Sequence, residues 1–200
     1  MFDDADLLPA LRSAQDGDER GFAALWRALQ PAVLRYLRVV VGDAAEDVAS
    51  ETWLQAARDL HRFSGDVSAF RGWLFRIARH RGIDERRRAG RRPEEPTDSD
   101  RDAGQAARDA ASEVLEASDT RWALGLIATL PIDQAEAVML RVVAGLDVPT
   151  TAKVLGKRSG AVRVATMRGL RRLAAHPQVR ARNLPAAGNA PVDPVLPEGV

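Results

Sequence analysis

The side chains of this chain that could do chemistry are arginines, and the chemistry is the binding of phosphates and base edges. From Lys153 to Arg182 there is no acidic residue, while Lys153, Lys157, Arg158, Arg163, Arg168, Arg171, Arg172, Arg180 and Arg182 are basic. Guanidinium groups pair with phosphates and guanine edges, and apolar side chains such as Val164 and Met167 suit thymine methyls. The ingredients of catalysis are missing. The chain has no cysteine, which excludes a disulfide framework and thiolate metal sites. His61, His80 and His176 are far apart and lack ligand spacing, so neither a structural zinc nor another cofactor is expected. Asp47 and Glu51 form an i, i+4 carboxylate pair, yet nothing supplies a nucleophile or metal cluster around them, which argues against a hydrolase.

The arginines need helices to present them. Asp147 is placed to cap a short helix, Pro149 is tolerated in its first turn, and Gly156 stops it. Ser159 is expected to cap a second helix running to about Ala175. A helix, a tight glycine-bearing turn and a second helix is the helix-turn-helix plan. At about 100° per residue, Val162, Ala165, Thr166, Gly169 and Leu173 share one side of the second helix. Arg163, Val164, Met167, Arg168 and Arg171 share the other, which suits entry into a major groove.

Two earlier stretches carry further candidate surfaces. AAEDVASETWLQAARDLHRF, with Asp43 as its cap, predicts a helix burying Ala45, Val48, Ala49, Thr52, Trp53, Ala56 and Leu60. The opposite face carries Asp47, Ser50, Glu51, Leu54 and Arg58. A leucine inside an acidic outward stripe reads as a partner-binding patch with an apolar anchor, a lone exposed leucine being the plain alternative. After a loop over Phe63–Val67, SAFRGWLFRIARHRGIDERRRAG predicts a helix with Phe70, Trp73, Leu74 and Ile77 on its core face. Arg71, Phe75, Arg79 and Arg86 project away, flanked by Arg76 and Arg87. Asp84 and Glu85 are too few to pair with so many arginines, so this face suits nucleic acid, including unpaired bases. Ser64, Gly65 and Ser68 lie between Phe63 and Phe70, at least one of which is expected in the core. The loop's polar residues and backbone are expected to capture bases that leave the stack, with Arg71, Arg76 and Arg79 holding the strand.

The rest of the chain is scaffold. Asp16-Gly17-Asp18 is a stop-and-restart signal between two helices, and Phe22, Leu25, Trp26, Leu29, Val33, Leu34 and Leu37 form a core stripe that continues past Pro31. Residues 91–117 are poor in large apolar side chains and rich in Asp, Glu, Pro and Ser, which marks a flexible acidic linker. Asp119-Thr120 then precede a helix carrying Trp122, Leu124, Leu126, Ile127 and Leu130, and Asp133 caps the next. A proline-bearing tail, residues 179–200, is expected to be disordered. With 46% hydrophobic and 28% charged residues the chain has material for real cores and a soluble surface. No signal peptide and no long apolar run is present, so no membrane insertion and a cytoplasmic location are expected. The fold expected is all-α: two small helical domains, 6–90 and 118–178, joined by the linker, the second carrying the helix-turn-helix.

In series these segments resemble a sigma factor of the extracytoplasmic-function group, within the sigma-70 family of RNA polymerase. AEDVASETWLQA resembles the family's acidic helix in region 2.2, commonly AEDLVQETFLRA. FRGWLFRIARHRGIDERRR resembles regions 2.3 and 2.4, and LPIDQAEAVMLRVVAGL with the helix-turn-helix resembles region 4. The resemblance covers about residues 6–178 and implies a non-enzymatic protein that binds core polymerase, brings it to promoter DNA and opens the −10 element. It implies that Asp47, Glu51, Leu54 and Arg58 dock on the clamp helices of the largest subunit. Ser64, Gly65, Arg71, Arg76, Arg79, His80 and Arg87 would serve the −10 element. Arg158, Ser159, Arg163, Val164, Met167, Arg168 and Arg171 would serve the −35 element. The polymerase flap and an anti-sigma factor are further implied partners. His80 stands where the family commonly has Asn, and Val164, Ala165 and Leu170 replace the recognition helix's usual Ser and two Arg. Val148-Pro149-Thr150-Thr151 replaces the common Tyr-Glu-Glu-Ile. The competing reading is a helix-turn-helix regulator whose N-terminal helices bind a small ligand in an interior polar pocket.

Overall fold

The computed structural model describes residues 4–91 and 110–183, with the side chains of 4–6, 110–117 and 183 left aside. Among the described residues, regular structure is helical throughout. The first half comprises α1 (Asp4–Gln15), α2 (Glu19–Val41), α3 (Ala45–Asp59) and α4 (Val67–Ala89). The second comprises α5 (Ala110–Ala128), α6 (Ile132–Val138), α7 (Val148–Leu155), α8 (Ser159–Ala175) and α9 (Pro177–Asn183).

Local chemistry sets the boundaries. Gly17 takes a positive φ of 91° between α1 and α2, and Asp18 caps α2 by accepting from the Arg20 N–H at 3.0 Å. Asp66 caps α4 through the Ala69 N–H at 2.8 Å. Three of the expected caps, and one expected helix start, fall elsewhere. Asp43 lies inside a 3-10 turn over Gly42–Ala44, and Ala44 precedes α3 with no side-chain bond. Asp133 sits in the first turn of α6 behind Pro131, and its carboxylate instead meets Lys157 Nζ at 2.7 Å. Ser159 is the first residue of α8, because Arg158 holds the extended backbone of the cap. Asp119 and Thr120 lie within α5 rather than before it.

Helix also reaches further than composition suggested. α4 starts at Val67, so the non-helical stretch is only Phe63 to Asp66. α5 starts at Ala110, inside the expected linker, because AASEVLEA is made of good helix formers despite its acidity. α9 occupies Pro177–Asn183, where the tail was expected to begin: Arg182 reaches Asp119 at 2.5 Å and lies over Trp122 at 4.7 Å. Residues 92–109 and 184–200, the remainder of the linker and tail, lie outside the described residues. Past α6 the helix widens over Met139–Val143, where the Ala144 N–H donates to Met139 O five residues back.

The core is one continuous cluster that runs through both halves. Leu25, Val33, Leu37, Phe70, Leu74 and Ala56 fill the first half, and Ala137, Val138, Met139, Leu140 and Val162 the second. Each fully buried Leu or Val is worth about 1.5–3 kcal/mol against exposure. The expected α3 stripe is buried in full, from Ala45 to Leu60. Trp26 is the exception in the α2 stripe. It is 44% exposed, because Trp53 fills the place beside Phe22 (ring centroids 5.7 Å apart) and bonds Gln30 Oε1 at 2.6 Å.

Candidate nucleic-acid interface

On α8 the outward side is as expected: Arg163, Val164, Met167, Arg168 and Arg171 are exposed, while Val162 and Gly169 are buried against the rest of the second half. The preceding α7 is held by Asp147, whose Oδ1 accepts from the Thr150 N–H at 2.6 Å. That bonding, the Thr150 side chain first, keeps the Asp147 carboxyl below its ordinary pKa. Gly156 ends α7 in the left-handed region at φ 63°, the turn that lets α8 cross. Arg158 is exposed and Ser159 half-buried at the start of α8. An apolar strip of Val148, Met167 and Leu170 continues the reading face sideways between Arg141, Arg163 and Arg171.

On α3, Asp47, Glu51, Leu54 and Arg58 all face solvent, and Leu54 is 58% exposed. Glu51 meets Arg81 of α4 at 3.7 Å in an exposed pair, which adds little to stability.

On α4 the expected residues separate into two groups. Ser64 and Gly65 stand exposed in the turn, Gly65 at φ 147°. Arg76, His80 and Arg87 share an exposed stripe, Arg87 pairing loosely with Asp84 at 3.8 Å. Arg71 is half-buried, and Arg79 keeps only 19% of its side-chain exposure. Phe75, expected to project, is fully buried. Phe75 meets Tyr36 of α2 edge-on, ring centroids 5.7 Å apart, while Arg79 is held by Glu136 of the second half. Phe63 and Phe70 are also engaged, with each other at 5.6 Å and each with Trp73, so the aromatic ends of the loop belong to the core.

Arg79 reveals a site that sequence reasoning missed. Its Nε donates to Glu136 Oε1 at 2.9 Å, and the Tyr36 hydroxyl donates to the same oxygen at 2.8 Å. Glu136 and Tyr36 are buried, 100 residues apart in the chain. Burial pushes the Tyr36 phenol well above its ordinary pKa, with the neighbouring Glu136 charge adding to the effect. Two hints were present: Tyr36 is the chain's single tyrosine, and Glu136 is the one charge in AEAVML. An open cleft of about 540 Å³ lies between α4 and α7, with Ser64, Asp66, Arg76 and Lys153 in its lining. Among the described residues no cluster of His, Cys, Asp or Glu could hold a metal ion, and no helix is long and apolar enough to cross a membrane.

Known proteins with this arrangement agree on one family. Residues 25–92 match the family model of sigma-70 region 2, and residues 120–173 match that of sigma-70 region 4. The chain is 34% identical to the ECF RNA polymerase sigma factor BldN of Streptomyces coelicolor, over 86% of this chain and 66% of BldN. It is 35% identical to the ECF RNA polymerase sigma factor ShbA of Streptomyces griseus, over 86% of this chain and 96% of ShbA. Among solved structures its fold is similar to CnrH in complex with the cytosolic domain of CnrY, at 22% identity and TM-score 0.58 over 83% of this chain and 93% of that one. The sigma factor RpoE bound to the anti-sigma factor NepR, from Bartonella quintana, is similar at 21% identity and TM-score 0.58, over 77% of this chain and 94% of that one. The chain therefore belongs to the extracytoplasmic-function group of the sigma-70 family and is a sigma factor of RNA polymerase.

Proposed function

We propose that three surfaces divide the work of initiation. The α3 face of Asp47, Glu51, Leu54 and Arg58 docks on the clamp helices of the largest polymerase subunit. Ser64, Gly65, Arg71, Arg76, Arg79, His80 and Arg87 serve the −10 element, where opened strands need capture as well as attraction. The exposed side of α8, with Arg163, Val164, Met167, Arg168 and Arg171, reads the −35 element, flanked by Arg158 and Ser159 at its start. Residues 6–90 and 118–178 are the two functional units, and the second also engages the polymerase flap. The protein acts in the cytoplasm on promoter DNA, without catalysis of its own. An anti-sigma factor is a further expected partner, since the similar RpoE chain is held by one.

The observation that carries this reading is the open α3 face. Its buried stripe is complete, yet Leu54 stands 58% exposed among charges, which is an apolar anchor awaiting a partner. The interior of the first half is apolar, and the hydroxyl of its buried Thr52 is spent on Val48 O at 2.7 Å. That interior does not suit a ligand-binding regulator. Reconstitution with core polymerase on genomic DNA tests the proposal: transcription starts that require this chain are expected. Their absence, with core binding also absent, would overturn it.

A further inference from the structure

The outward side of α8 is ordered by residue type. At about 100° per residue, Gly160, Val164, Met167 and Arg171 fall along the middle of its exposed arc, opposite the buried Val162 and Gly169. Arg163 and Arg168 stand exposed one on each flank, and no acidic residue between Lys153 and Arg182 occupies them. We infer that α8 reads A·T pairs of the −35 element through thymine methyls met by Val164 and Met167, while Arg163 and Arg168 hold the phosphates on either side. This rests on the proposed −35 role of α8 and assigns which of its side chains carry sequence.

Three observations carry it. The first is exposure: Val164 and Met167 are 41% and 42% exposed. Covering them with something apolar is favourable, and the thymine C5 methyl is the apolar group that the floor of a major groove offers. The second is the position of the charges. A helix lying in the groove turns its middle line to the base edges and its flanks to the two backbones. A bidentate guanine contact needs an arginine on the middle line. Arg171, the arginine on that line, lies in the second half of α8, whereas the N-terminal residues of such a helix are the ones that reach bases.

The third is Gly160. A Cβ on Gly169 would stand 2.8 Å from Val138 Cγ2, so packing requires that glycine. A Cβ on Gly160 would meet nothing within 4 Å, and nothing inside the chain accounts for a residue that weakens a helix relative to alanine. Gly160 lies on the middle line, one turn before Val164. Its missing side chain lets the first turn of α8 sit close to the groove floor. Close approach is what a side chain as short as valine needs in order to touch a methyl.

Deoxyuridine pairs as thymine does and lacks its methyl, so it isolates the contact. On promoters mapped with the wild-type holoenzyme, the −35 element should contain A·T pairs. Replacing its thymines with deoxyuridine should weaken holoenzyme binding about fourfold for each contacted methyl, the worth of one buried carbon. Val164→Ala with Met167→Ala should bind more weakly and become indifferent to deoxyuridine. Arg163→Ala and Arg168→Ala should weaken all promoters alike and flatten the salt dependence, yet stay sensitive to deoxyuridine. Gly160→Leu should melt no lower than wild type and still lose promoter affinity. A −35 element of G·C pairs alone, wild-type binding that ignores deoxyuridine, or an undiminished deoxyuridine effect in the Val164→Ala/Met167→Ala protein would overturn the inference. So would Gly160→Leu protein that binds promoters as tightly as wild type. Wild-type promoter affinity in the arginine variants and the apolar variants together would instead overturn the proposed −35 role of α8.

Discussion

Helices α3 and α4 are neighbours in the first half, and each turns one face to its core and one outward, but the outward faces meet different fates. The far side of α3 is open along its length, with Leu54 its exposed large apolar residue. The far side of α4 is divided: Glu136 of the second half ties down Arg79, while Arg76, His80 and Arg87 stay exposed. Amphipathic periodicity reports only which side of a helix faces its own core. Whether the other side meets solvent, a partner or a distant part of the same chain is decided by tertiary packing.

The sharpest way to break the comparison is on the open side. Leu54→Arg with Glu51→Lys is expected to abolish co-purification with core polymerase. Helicity and melting temperature should stay nearly unchanged, since both side chains are exposed and the Glu51–Arg81 pair is weak. Wild-type recovery of polymerase by this variant would show that the open face of α3 is an ordinary solvated surface.

On the covered side the prediction concerns stability. Glu136→Ala strands the Arg79 guanidinium and the Tyr36 hydroxyl in a buried site, and breaking a buried pair in this way costs about 3–5 kcal/mol. The loss is capped by the free energy that holds the halves together, because beyond it they part and Arg79 regains water. Glu46→Ala, which removes the exposed Arg38–Glu46 pair at 3.6 Å, should cost about 0–1 kcal/mol. Urea unfolding of the two variants side by side measures the difference. Equal shifts would mean that the junction between the halves contributes nothing.

The third prediction lies on α8, an open face like that of α3 but basic. Alanine at Arg163 or Arg168 should cost about 1–3 kcal/mol of promoter affinity and relax preference at one position if the lost contact is a bidentate base contact. If it is a phosphate contact, all sequences should weaken alike and the salt dependence should flatten. Promoter affinity unchanged in both variants would remove α8 from −35 reading.

What was legible in the residues follows the same division. The α3 stripe from Ala45 to Leu60, the Gly17 and Gly156 breaks and the two sides of α8 are local patterns, set by helix geometry and capping, and they reappear in the fold. The fold class and family were legible for the same reason, through stretches whose order survives in one sequence. Tyr36 with Glu136 was not legible, because a contact across 100 residues leaves no periodic trace. α4 did carry a signal that was misread. Phe70, Trp73, Leu74, Ile77 and Ala78 line one side, and Phe75 stands at the edge of that arc, which widens the apolar face toward α2. Cap positions slipped at Asp43, Asp133 and Ser159, because cap-forming residue types are also common in first turns and tight turns.

The smallest effect expected is at Asp147, and it distinguishes charge from capping on the helix that covers α4. Bonding to Thr150, through its side chain first and its N–H at 2.6 Å second, lowers the pKa of this carboxyl in the folded state. A carboxyl whose folded pKa is depressed contributes stability that is present above its unfolded pKa and is lost as pH falls through the folded value. Replacing the cap with alanine should therefore cost about 1 kcal/mol at neutral pH, and the gap between Asp147→Ala and wild type should narrow in acid, below the ordinary aspartate range. Asparagine keeps an acceptor oxygen without the titrating charge, so Asp147→Asn should retain most of the stability and show no such narrowing against alanine. Urea unfolding at neutral pH and at about pH 3 measures both effects. An alanine gap that stays undiminished in acid would mean that the protonated carboxyl caps as well as the carboxylate, and no gap at neutral pH would make Asp147 a bystander.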